Sequence, residues 1–219
     1  MNAFWPGSIR EINDLSQDRK YAIYQALIPH WVYPMFGLDP DAGVFHEESP
    51  ISIRCPAGSV SVEIAVFHAL GAADPALYLH MGDTFNSQLV VMMVVVNDPG
   101  SPRYDIDVDA SGESTQLGTL RRNVPEELRA MQAGLAPGQV RRGLRVFRSV
   151  LPAFEQFVTA MGHQLFLIEP LFYHNAIAFE RYGFAYSRGF QKMKAIHQAF
   201  SDGGSARVAL DGSTPFRAP

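Results

Sequence analysis

Asp105, Asp107 and Asp109 stand at alternate positions, and three carboxylates at that spacing begin a calcium-binding loop. The loop also requires glycine directly after the third aspartate and a glutamate as its last ligand. Ala110 and Gln116 occupy those places, so a solvated acidic strand face is the better reading. His80 and Asp83, three apart at a strand end, lack the further ligands a metal site needs. Cys55 precedes Pro56 with no histidine near it in sequence, which is poor ground for a catalytic thiol. No metal site is expected.

The chain that must position any working residues has 219 residues, 47% of them apolar, enough for a full core in one domain. A net charge of -4 provides no general attraction to nucleic acid or to anionic membranes, so any anion site must be local. One cysteine excludes an intrachain disulfide and a cysteine zinc cluster. The start of the sequence lacks the basic and apolar regions of a secretory signal, and the longest apolar run, Leu89 to Val96, is too short to span a bilayer as a helix. A soluble cytoplasmic protein is expected.

Ser16 to Ile28 reads as a helix, with Ser16 or Asp14 as cap and Pro29 as stop. The aromatic stretch His30 to Phe36 is either core filling or one wall of a pocket. Val60, Val62, Ile64 and Val66 alternate with Ser61, Glu63, Ala65 and Phe67, as in a half-buried strand, and a second strand is expected over Ala76 to Met81. Leu89 to Val96 does not alternate and reads as a central strand covered on both faces. Pro125 to Ala133 reads as a short helix with Glu126 and Glu127 in its first turn.

From Gln139 onward Val140, Leu144, Phe147, Leu151, Phe154, Val158 and Met161 keep spacings of three and four, predicting a long helix with one apolar face. Pro152 should kink it and Gly162 close it. A short buried strand over Leu165 to Ile168, a helix over Tyr173 to Tyr182 and a returning strand from Phe184 to Arg188 complete the pattern. This predicts an α+β fold, with α and β mixed: a central, mostly antiparallel sheet flanked by helices. It forms one domain over 1–200, with an insertion at about 98–137 after the central strand and a tail at 201–219.

The segments LAPGQVRRGLRVF, HQLFLIEP and HNAIAFERYGF, in that order, resemble the second half of the GNAT superfamily of acyl-CoA-dependent N-acyltransferases, over about residues 137–190. The resemblance implies acetyl-CoA or another acyl-CoA as cosubstrate. Its pyrophosphate would lie on the amides of a helix start, where unpaired N–H groups and the helix dipole favour anions. Gly138, Gln139, Val140, Arg141, Arg142 and Gly143 would form that turn, with Asn175 and Phe179 also against the cofactor. The family splays the strand before the long helix from the strand after it, here Leu89 to Val96 and Leu165 to Ile168. The pantetheine arm pairs with the backbone so exposed.

Transfer to an amine needs a base for the nucleophile and an acid for the leaving thiolate. Glu169 and His174 are the candidate bases. The family's usual tyrosine acid aligns with Phe179, so Tyr182 and Tyr173 are the candidate acids. Arg145 stands where the phosphate turn expects a small residue. Two readings follow. One is an N-acyltransferase whose partner is a small-molecule acceptor, a small amine or an amino-acid derivative, without nucleic acid or membrane and compatible with a homodimer. The other is a GNAT-shaped binding protein without the standard catalysis.

Overall fold

The computed structural model describes residues 5–40, 49–116, 118, 120–213 and 215–217. The chain divides into two compact units, Met1–Gly100 with Gly143–Pro170, and Ser101–Arg142 with Leu171–Pro219. Most of the segment expected as an insertion and all of the expected tail therefore belong to one unit, together with the helix at Tyr173.

The first unit holds helices α1 (Ile9–Asn13), α2 (Gln17–Gln25) and α3 (Val32–Phe36), strands β1 (Ile51–Arg54), β2 (Ser61–Val66), β3 (Leu77–Asp83) and β4 (Leu89–Val96), then α5 (Phe147–Ala160) and β5 (Phe166–Ile168). The strands form one sheet in the order β1-β2-β3-β4-β5. Neighbours from β1 to β4 are antiparallel, and β5 joins β4 in parallel. The coarse class, mixed α and β with a mostly antiparallel sheet and flanking helices, is as the sequence predicts.

Alternation in β2 has its expected cause: Val62, Ile64 and Val66 are buried in the core, with Ile51 and Ile53 of β1 on the same side. α5 closes this core. Phe157, 1% exposed, meets Trp5 edge to face at 5.5 Å and stacks toward Tyr24 at 6.3 Å, while Phe154 meets Phe166 of β5 at 4.6 Å. Buried Asn13 ties α1 to the start of β2. Its Nδ2 donates to the carbonyls of Ser59 (2.9 Å) and Ser61 (3.0 Å), and its Oδ1 accepts from the Tyr24 hydroxyl. No buried polar atom of Asn13 is thereby left unmatched, as burial requires. In His30–Phe36, Val32 and Tyr33 are buried in this core, which favours core filling over a pocket wall.

The second unit holds α4 (Val124–Gln132), α6 (Tyr173–Arg181), α7 (Phe190–Phe200), α8 (Ser205–Val208) and a 3-10 turn at Pro215–Arg217. Its own small core joins Ile106, Ala130 and Leu135 with Tyr104 and Val140.

Several expectations need correction. The long helix starts at Phe147, not Gln139. Pro137 and Gly138 form a tight turn, Arg145 adopts φ 58, and the Val140 carbonyl accepts from Tyr104 N–H at 2.8 Å, while the Val140 side chain packs into another core. Pro152 does lie inside the helix, and Gly162 closes it at φ 83. Phe184 to Arg188 forms no strand; the chain turns there and enters α7. The aspartates at 105–109 sit on a loop rather than a strand face. β4 is buried at Leu89 and Val91 but only half-buried beyond them. Ser16 holds the cap position of α2 without a side-chain cap bond, and Asp14 instead accepts from Gly58 N–H at 2.7 Å.

Candidate functional site

β4 and β5 run parallel only over Leu89–Val91 against Phe166–Ile168. One further bond, Glu169 N–H to the Val91 carbonyl at 3.0 Å, ends their pairing among the described residues. β4 continues to Val96 with β3 on its other side. The register with β3 shifts between His80 and Met81, so Met92 is an extra residue in β4 at the point where β5 stops. Such a bulge bends a strand and interrupts its ladder. Gly143 lies against the far end of the same strand: a Cβ there would stand 3.1 Å from the Val96 carbonyl oxygen. Glu169 and Gly143, both sequence candidates, thus flank the part of β4 that outruns β5. Glu169 is exposed.

The other candidates belong to the second unit. Pro137 and Gly138 occupy the middle of a turn closed by Gln139 N–H to the Ala136 carbonyl at 3.2 Å, and the Gln139 side chain accepts from Ala136 N–H at 2.9 Å. Gly138 has φ 82, which glycine adopts readily. Its open side is filled, since a Cβ there would stand 2.6 Å from Cζ of Phe172. Arg141 donates to the Ser101 carbonyl, and Arg142 donates through its backbone to Ser101 Oγ and through its side chain to the Ala133 carbonyl, both at 3.2 Å. Residues 138–143 do not run directly into a helix; the dipole of α5 begins at Phe147.

Tyr173, His174 and Asn175 form the first turn of α6, after Phe172 at the cap position. Asn175 N–H donates to the Phe172 carbonyl at 3.1 Å, so Asn175 lies in the first turn and is not the cap. His174 stacks on Phe172 at 5.7 Å, and burial pushes its pKa below the usual imidazole value. The Tyr173 hydroxyl lies 2.9 Å from Nδ1 of His197 on α7. His197 was missed in the sequence, although Phe190, Met193, Ile196 and Phe200 keep the spacing of a helix and could have placed it on one.

The Gly-Phe ending of α6 has a local physical cause. Gly183 takes φ 91, its N–H bonds the Glu180 carbonyl at 3.0 Å, and Phe184 N–H bonds the Phe179 carbonyl at 3.2 Å. This is the paired 5→2 and 6→1 closure of a helix end, completed by the Phe179 and Phe184 rings at 5.5 Å. Phe179 therefore packs the cap. Tyr182 is the C-cap residue and half-buried.

The second unit also holds an open cavity of about 300 Å³, lined by Ile106, Ala130, Met131, Gly138, Phe172 and Phe216 together with the charged Asp107, Arg122 and Glu127. Arg122 bonds Glu127 through two nitrogens and lies over the Phe216 ring at 5.5 Å. Arg103 bonds Asp105 and both oxygens of Asp107 (2.8 and 2.7 Å), while Arg121 pairs with Asp109 at 3.0 Å. The three aspartates are thus directed to arginines rather than to one another, and no metal-binding group of three is found among the described residues.

His80 and Asp83 do not act together either. Asp83 accepts from the N–H groups of Ile9 and Arg10, both at 2.9 Å, and so caps α1. Cys55 is buried, and that burial raises its pKa, disfavouring the reactive thiolate.

No family model, curated protein or solved structure matches the chain. Among the described residues no helix is long and apolar enough to cross a membrane.

Proposed function

We propose that the chain is an acyl-CoA-dependent N-acyltransferase, most simply an acetyltransferase, acting on a small amine or amino-acid derivative. The observation that supports this reading is the early end of β5: β4 runs on for five residues, Met92–Val96, beyond the pairing at Val91. An extended arm carrying two amides, as pantetheine does, suits an edge of that kind, because its amides can take the place of a strand.

Glu169 is the base best situated for this reading, an exposed carboxylate one residue beyond the β5 pairing. Tyr173 and Tyr182, in the second unit, are the candidate acids, and the Tyr173 hydroxyl has an imidazole partner in His197 that can exchange its proton. The fit to the pyrophosphate is poorer. Gly138 is occupied by Phe172 and is not at a helix start, which leaves Gly143, against the far end of β4, as the expected contact in the first unit.

A binding protein without standard catalysis is the second reading, favoured by the packing of Phe179 against Phe184 where the family's acid would stand.

Thermal unfolding with and without acetyl-CoA, followed by thiol release on an amine panel, tests both. The first reading expects stabilisation, about 2.7 kcal/mol at a hundredfold excess over Kd, together with turnover. Stabilisation without turnover supports the second reading, and no stabilisation removes the first.

A further inference from the structure

We infer that the cavity of the second unit binds a small apolar organic cation of the arylalkylammonium type. In naming the acceptor class this rests on the acyl-transfer reading; as a binding site it does not. Its volume, about 300 Å³, lies at the lower end of the roughly 300–1,000 Å³ of small-molecule sites. Phe172 and Phe216 offer ring surfaces, and Ile106, Ala130 and Met131 complete an apolar wall.

The charge of the lining selects the sign of the ligand. Of the charged residues that line the cavity, Asp107 and Glu127 are acidic and Arg122 is basic, which leaves one net negative charge on the lining. Arg103 is shared between two carboxylates, and each carboxylate retains lone pairs beyond those its arginine occupies. An ammonium group can therefore bond Asp107 or Glu127 without displacing an arginine. An anion would meet the net negative charge of that lining. Cation–ring attraction to Phe172 or Phe216 adds in the same sense.

The test is calorimetric titration of the full chain with 2-phenylethylammonium and with its neutral counterpart 2-phenylethanol. The expected result is saturable binding of the ammonium at least fivefold tighter than that of the alcohol. Met131→Trp, which fills the cavity, abolishes both, and Asp107→Asn with Glu127→Gln brings the ammonium down to the level of the alcohol. Unfolding curves of the variants without ligand establish that they fold, and Ala130→Leu provides a second way to fill the cavity. Absence of saturable binding to the native chain, equal affinity for the two probes, or unaltered binding in both filled variants would overturn the inference. Amine binding without acetyl transfer leaves this site standing and rejects only the acyl-transfer reading; transfer without amine binding in this cavity does the reverse.

Discussion

The Glu169 amide donates to the Val91 carbonyl at 3.0 Å, and beyond that bond β4 and β5 no longer pair among the described residues. The bond puts a carboxylate-bearing residue where the shorter strand ends and the longer one continues. If that carboxylate is the base, Glu169→Gln should keep the fold and the affinity for acetyl-CoA while lowering kcat at least tenfold. Equal losses in kcat and in cofactor affinity would assign Glu169 to binding instead.

Tyr173 and His197 give a second prediction. Tyr173→Phe removes the hydroxyl that lies 2.9 Å from Nδ1 of His197 and should lower kcat at least tenfold with little change in acetyl-CoA affinity. Tyr182→Phe should have a much smaller effect. Unchanged turnover in both would leave protonation of the thiolate to solvent.

Gly138 is expected to be intolerant of a side chain. Gly138→Ala combines φ 82 with overlap on the Phe172 ring and should cost about 1–3 kcal/mol in chemical denaturation. In a Phe172→Ala background the cost should fall, because the overlap is gone and only the backbone strain remains. An equal cost in both backgrounds would show that the ring does not restrict the site.

Much of the fold within each unit is legible in the sequence because its cause is local. The alternation of β2, the closing glycine of α5 and the acidic first turn of α4 each follow from periodicity or capping within a few residues. The start of α5 was not legible, because Val140 and Leu144 keep the helical spacing while the Val140 carbonyl is taken by Tyr104, thirty-six positions away in sequence. The Gly-Phe ending of α6 was legible as a motif, yet its bonds explain it as a helix cap without reference to chemistry. His197 and the cavity lining at Arg122 and Glu127 depend on how distant segments meet, which no spacing records.

His174 makes stability depend on pH. Burial lowers its folded-state pKa from the ordinary value of 6.5, so its contribution is fully present above that pH and is lost as pH falls through the folded value. Chemical denaturation between pH 7.5 and 5 should show a decline that is smaller in His174→Phe, which keeps a ring against Phe172. An identical decline in the variant would assign the effect to other groups.

The central claim is that an acyl-CoA lies along β4 beyond its pairing with β5, and amide hydrogen exchange with and without acetyl-CoA tests it most directly. The predicted result is slowed exchange at those amides of Met93–Val96 that face away from β3 and at Gly143, with little change in β1 and β2. Exchange that is unaltered throughout, or slowed only in segments away from β4, would contradict it.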